Sequence, residues 1–187
     1  MSAQPILETI RLVLRPFKLG DAEQVQKLAD RIEVATTVNL PHPYTLEMAT
    51  GWIKTHEADF QEGRNVTYAI TLKGSGELIG TISLMDFTRG SNHARIGFWI
   101  GLPYWNMGYC TEAGKAILKY GFVERGLNRI HTAYMVSNPA SGRVLEKLGM
   151  VYEGTQRQHI TKLGEYEDLI LVGLLRSDWE KSKKNLS

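Results

Sequence analysis

Cysteine is almost absent from this chain. Cys110 stands alone, which excludes an internal disulfide and a multi-cysteine zinc site. A surplus of one charge is also missing: 22 Lys and Arg against 20 Asp and Glu leave +2. That is too little for a protein whose affinity rests on many phosphate contacts, so no direct nucleic-acid binding is expected. No apolar run approaches the roughly 20 residues that span a bilayer, so no membrane insertion is expected. Met1-Ser2-Ala3-Gln4-Pro5 lacks the basic-then-apolar pattern of a signal peptide. Together with the near absence of cysteine, this points to a reduced, cytoplasmic compartment. The five histidines form no His-x-x-x-His pair, so no metal site is expected. Repeats, low-complexity tracts and long linkers are lacking too. What is present, 43% hydrophobic and 22% charged residues in 187, suits one globular domain, with a core over residues 8–176 and a short C-terminal tail.

The hydrophobic spacing alternates between strand and helix periods. Arg11-Leu12-Val13-Leu14-Arg15 reads as a strand stopped by Pro16. A helix follows Gly20-Asp21, with Val25, Leu28, Ala29 and Ile32 at spacings of three and four. Thr45 is placed to cap a second helix that ends near Gly63, with Ala49, Trp52, Ile53 and Phe60 as apolar positions. Strands are expected at 68–72, 78–85 and 94–100, the first two joined by the turn Lys73-Gly74-Ser75-Gly76-Glu77. Helix is expected over 111–125, strand over 130–136, and a helix after Asn138-Pro139, an N-cap followed by proline. Strands near 151–159 and 168–175 complete one mixed sheet with helices packed on it. The tail Lys181-Ser182-Lys183-Lys184 reads as a solvated terminus.

Two stretches carry chemistry. In Trp105-Asn106-Met107-Gly108-Tyr109-Cys110-Thr111-Glu112-Ala113 a glycine loop precedes a helix start, whose unpaired N–H groups suit a phosphate. The plainer reading is a turn at Gly108 and a cap at Thr111. In Asn138-Pro139-Ala140-Ser141-Gly142-Arg143 an amide sits at a strand end and a hydroxyl about one turn into the next helix, beyond the sheet edge. The plainer reading is an N-cap and a surface serine.

Read together, the two stretches resemble the GCN5-related N-acetyltransferase (GNAT) superfamily, and within it the branch of the ribosomal-protein acetyltransferases RimJ and RimL. The superfamily signature Gln/Arg-x-x-Gly-x-Gly/Ala aligns with residues 105–110, and Trp105 at its first position is usual for that branch. Thr9-Ile10-Arg11-Leu12-Val13-Leu14-Arg15-Pro16, Ile96-Gly97-Phe98-Trp99-Ile100, Leu127-Asn128-Arg129-Ile130 and Leu145-Glu146-Lys147-Leu148-Gly149 also fit. The resemblance implies an α+β fold, a mostly antiparallel twisted sheet with two splayed parallel strands, here 96–100 and 130–136. It implies acetyl transfer from acetyl-CoA to an amine without a covalent enzyme intermediate. Asn106, Met107, Gly108, Tyr109, Cys110 and Thr111 would hold the pyrophosphate. The backbone of Phe98, Trp99 and Ile100 would pair with the pantetheine and supply an N–H to the oxyanion. Asn138 and Arg143 would contact the cofactor, and Ser141 would protonate the leaving thiolate.

Two departures stand out. Cys110 replaces the last Gly/Ala and reads as a small spacer, although a helix N-terminus favours a thiolate. Arg95 stands where the branch often has Glu, so a base on that strand looks absent. Glu112 reads as a helix-start carboxylate; Glu165, Glu167 and Asp168 lie near the last strands, and a water chain is the other route for the proton. Trp52, His42, Tyr44 and Trp105 are candidates for an acceptor pocket. The acceptor implied is a protein N-terminal amine, with a small amine (antibiotic or polyamine) and a non-catalytic CoA-binding module as alternatives. A homodimer is the commonest assembly for such an enzyme.

Overall fold

A computed structural model describes residues 3–38, 40–88 and 90–184. The ends of the domain read from the sequence, residues 1–2 and 185–187, lie outside the described residues. Eight strands form one sheet: β1 (Leu7–Glu8), β2 (Leu12–Arg15), β3 (Val66–Leu72), β4 (Leu78–Thr88), β5 (His93–Ile100), β6 (Arg129–Met135), β7 (Val151–Lys162) and β8 (Glu165–Leu175). Their order is β1-β2-β3-β4-β5-β6-β8-β7, antiparallel throughout except for the β5–β6 pair. The expected α+β class, with a mostly antiparallel sheet and flanking helices, is the observed one.

Among the described residues six α-helices flank the sheet: α1 (Ala22–Ala29), α2 (Ile32–Ala35), α3 (Leu46–Gln61), α4 (Tyr109–Lys119), α5 (Pro139–Lys147) and α6 (Arg176–Lys184). Strand alternation splits the core in two. On one face Tyr68, Ile70, Ile82, Leu84 and Ile96 pack with Ile117 and Leu118 of α4. On the other, Ala69 packs with Val25 and Leu28 of α1 and with Ala49 and Ile53 of α3. Each fully buried Leu or Ile contributes roughly 1.5–3 kcal/mol.

Pairing fails in one place that matters. β5 and β6 pair only at His93–Arg129, Ala94–Ile130 and Arg95–His131. Beyond that point β5 stays with β4, and β6 stays with β8 out to Met135–Leu169. The strands therefore splay as the resemblance implies. The Asn128 N–H donates to the Asn92 carbonyl at 2.7 Å and pins the closed end.

Several expectations need correction. Ile32 is exposed and belongs to the separate short helix α2, because the chain turns at Asp30. Thr111 is not the cap of α4; Gly108 occupies that position. The helix read over 111–125 ends at Lys119 and gives way to a π turn over Tyr120–Glu124. The C-terminal stretch is helical rather than an irregular tail: α6 lays Trp179 against Phe122, ring centroids 5.2 Å apart, while Lys181, Ser182 and Lys183 are exposed as expected.

Candidate active site

The splay leaves part of β5 without a partner. The Gly101 N–H donates to the Ile79 carbonyl at 2.9 Å, and Trp99 lies opposite Thr81 in the same register. Hydrogen-bonded pairs alternate along an antiparallel ladder. Trp99 therefore turns its N–H and carbonyl to β4, while Phe98 and Ile100 turn theirs to the gap. The Trp105 indole N–H already occupies the Ile100 carbonyl at 2.6 Å. Of the three residues expected to present backbone, Phe98 and Ile100 do so and Trp99 does not. The Trp99 side chain packs against the core beneath α1 and α3.

At the open end of the gap lies the loop before α4. Gly108 caps the helix with φ +79°, and Asn106 has φ +61°. No side chain caps this helix. The first helical bond runs from the Glu112 N–H to the Gly108 carbonyl, so the N–H groups of Tyr109, Cys110 and Thr111 have no intrahelical partner. Such donors at the positive end of a helix dipole suit a pyrophosphate. Glu112 does not compete for them. Its carboxylate accepts from the Thr9 hydroxyl (2.6 Å), the Arg11 N–H (2.8 Å) and the Arg11 guanidinium (2.7 Å). Burial alone would raise its pKa, but these bonds hold it below the usual carboxylate range. Arg11 also donates to the Met107 carbonyl and lies over the Tyr109 ring. It is a brace for the loop that the sequence reading quoted without a role.

A cleft of about 290 Å³ joins this loop to α5. Phe98, Trp99, Ile100, Asn106, Gly108, Tyr109, Cys110, Thr111, Asn138, Ser141 and Arg143 all line it. Met107 does not; its carbonyl is bound by Arg11 and its side chain is half exposed. Lys147, one turn after Arg143, adds a second cationic side chain that sequence reasoning missed. Its signal was the spacing of four from Arg143 on one helix face.

Asn138 lines the cleft and also braces it. Its Oδ1 accepts from the Ser141 N–H at 3.1 Å, and its Nδ2 donates to the Thr37 carbonyl at 3.0 Å. Both ends of the amide thus serve to position α5. Gly142 completes that placement: a Cβ there would lie 2.7 Å from the Tyr134 ring of β6. The close approach seats Ser141 at the splayed strand, where it lines both this cleft and a larger one.

The larger cleft, about 820 Å³, opens on the other face of the sheet. Thr67, Thr81, Ser83 and Gly97 form its floor, with α3 on one side and the β7–β8 hairpin on the other. Trp52 and Tyr44 line it; Trp105 lines the smaller cleft, and His42 lines neither. Arg95 lines it too, its guanidinium 2.8 Å from Asp86. Glu165, Glu167 and Asp168 are not among its lining residues. Asp168 accepts from the Gln158 N–H at 2.7 Å, where β7 kinks.

His56 is a second residue that the sequence reading passed over, although its spacing from Ala49 and Ile53 puts it on the inward face of α3. It is 8% exposed, and neither ring nitrogen has a partner. Phe17 and Trp52 enclose it. Burial pushes its pKa down to about 4, against a smaller opposing pull from Asp59. Between that value and the ordinary 6.5 the unfolded chain takes up the proton and the folded chain does not. Stability should therefore fall as pH drops from 6.5 toward 4, by about 3 kcal/mol from this group. Urea unfolding at pH 7.5 and pH 4.5 checks this, and His56→Phe should remove that part of the acid sensitivity.

Burial pushes the Cys110 thiol up to about 12. That direction opposes the helix dipole and favours the thiol over the thiolate. Cys110→Ala should keep most activity with ternary-complex kinetics. A trapped acetyl-Cys110 would contradict this. Among the described residues, no group of three His, Cys, Asp or Glu side chains is placed to hold a metal ion, and no helix is long and apolar enough to cross a membrane.

Comparison with known proteins agrees with this geometry. The acetyltransferase (GNAT) domain family matches residues 11–151. An uncharacterized N-acetyltransferase of Bacillus subtilis, YoaA, is 33% identical over 172 residues, 92% of this chain and 97% of its own. The [ribosomal protein uS5]-alanine N-acetyltransferase of Escherichia coli is 33% identical over 104 residues, 55% of this chain and 54% of its own. A crystal structure of a GNAT-family acetyltransferase from Bacillus anthracis superposes with a TM-score of 0.83 at 28% identity, covering 92% of this chain and 99% of that one. With splayed strands, a helix start whose first N–H groups are unpaired and a family match over three-quarters of its length, the chain belongs to the GNAT acetyltransferases and is an acetyl-CoA-dependent N-acetyltransferase.

Proposed function

We propose that the acceptor is the N-terminal amine of a protein, such as a ribosomal protein, and that the larger cleft receives it. The observation that carries this is the charge of the lining. Among the described residues Asp59 is the single carboxylate on it; Arg64 (2.8 Å) already neutralises it and the Asn65 amide donates to it (3.0 Å). A polyamine carries several positive charges, and burying them without carboxylate partners is costly. A peptide brings one amine and a backbone that a floor of Thr67, Thr81 and Ser83 suits. The similarity to a ribosomal-protein alanine N-acetyltransferase supports the same reading.

The cofactor roles follow from the smaller cleft. The N–H groups of Tyr109, Cys110 and Thr111 hold the pyrophosphate, and Arg143 and Lys147 balance the remaining phosphate charge. Phe98 and Ile100 pair with the pantetheine, and the Phe98 N–H is aimed at the developing oxyanion. Ser141 gives a proton to the leaving sulfur. The amine's proton leaves by water, since Arg95 replaces an acid on β5 and pairs with Asp86.

The test is a panel of acceptors read by free CoA release. It holds tripeptide amides with different N-terminal residues, N-acetylated lysine peptides and spermidine. Turnover of the free tripeptides at least tenfold above the others is expected. Preference for spermidine would move the acceptor class to small amines.

A further inference from the structure

One backbone turn borders both clefts. Thr37 and Val38, just after α2, line the cofactor cleft and the acceptor cleft alike. Two side chains from distant parts of the chain hold this turn from opposite sides. Asn138, the N-cap of the helix that carries Ser141, donates to the Thr37 carbonyl at 3.0 Å. Lys162, the last residue of β7, donates to the Ala35 carbonyl and to the Val38 carbonyl, the latter at 2.6 Å.

Lys162 is well suited to this. The last carbonyls of a short helix have no intrahelical partners and concentrate negative charge. An ammonium offers three donors and satisfies at once the Ala35 carbonyl that ends α2 and the Val38 carbonyl of the turn beyond it. Its hairpin supplies a wall of the acceptor cleft through Gln156, His159 and Ile160. The lysine thus bridges from that wall to the turn opposite. Desolvation of its ammonium depresses its pKa, in keeping with a seated rather than a free side chain.

We propose that Lys162 is a positioning residue for the acceptor: gripping the 35–38 turn against the hold of Asn138, it fixes the wall that the two clefts share. Acceptor affinity then depends on a side chain that acts through backbone carbonyls. The assignment of the larger cleft to the acceptor is its premise; the acceptor's chemical class is not.

Lys162→Met keeps the apolar stem and removes the donors. KM for the fastest substrate of the panel above should rise about tenfold, the scale of one charge-assisted hydrogen bond. The kcat and the Kd for CoA should stay within about threefold, and the Thr36 and Thr37 amides should exchange hydrogen faster. Lys162→Arg, which keeps donors at similar reach, should restore most of the acceptor KM. An unchanged KM overturns the proposal, whether or not exchange quickens. So does a parallel loss of kcat, CoA affinity and Tm, which would mark a scaffold role alone. Turnover of spermidine alone would refute the peptide reading and leave the Lys162 test intact.

Discussion

Ser141→Ala is expected to lower kcat by roughly 10²–10⁴-fold, the usual contribution of a positioned general acid. The Kd for CoA should change little, because a proton donor acts mainly in the transition state. The geometry supports this division. Ser141 borders both clefts, and its backbone N–H is fixed by the Asn138 side chain at 3.1 Å. The alanine variant keeps that backbone bond, so α5 and its Arg143 and Lys147 should stay in place. Stopped-time assays of CoA release, with calorimetry for CoA binding, separate the two effects. A wild-type kcat would mean that solvent protonates the sulfur.

Gly108→Val is expected to weaken CoA binding by an order of magnitude or more, at least about 1.4 kcal/mol. Space is not the cause: a Cβ at Gly108 would meet the Arg11 guanidinium at 3.6 Å, an ordinary contact. The cause is the backbone. At φ +79° a β-branched residue is strained, and the loop relieves the strain by turning. That re-aims the three unpaired N–H groups that follow. The Arg11–Glu112 brace makes no bond to residue 108 and should hold α4 folded. Calorimetry should therefore show lost affinity with a nearly unchanged far-UV circular dichroism spectrum. Equal affinity in the folded variant would move the pyrophosphate away from this loop.

Much of this architecture is legible in the sequence because local rules agree there. Thr45 caps α3 through the Met48 N–H, Asn138 and Pro139 open α5, and Gly76 with φ +73° turns the β3–β4 hairpin. Period and cap residues carry that information. What is illegible depends on distant partners. Which residues of β5 face the gap is decided by register against β4, and nothing in 96–100 shows that Trp99 points its backbone away. The roles of Asn138 and Lys162 need a turn more than 100 residues earlier in the chain. The π turn at Tyr120–Glu124 hides inside an unbroken helical pattern. His56 is a different case. Its helical spacing shows it facing inward, but a histidine among apolar neighbours reads as core, and only its unpartnered nitrogens reveal how closely it is enclosed.

A crystal structure of the protein with CoA tests the central claim most directly. The account predicts pantetheine in the gap between β5 and β6, bonded to Phe98 and Ile100, and pyrophosphate on the N–H groups of Tyr109, Cys110 and Thr111. It also predicts the sulfur within roughly 3.5 Å of the Ser141 hydroxyl, hydrogen-bond reach for sulfur. CoA bound outside the gap, or bound within it with its sulfur remote from Ser141, would contradict the account.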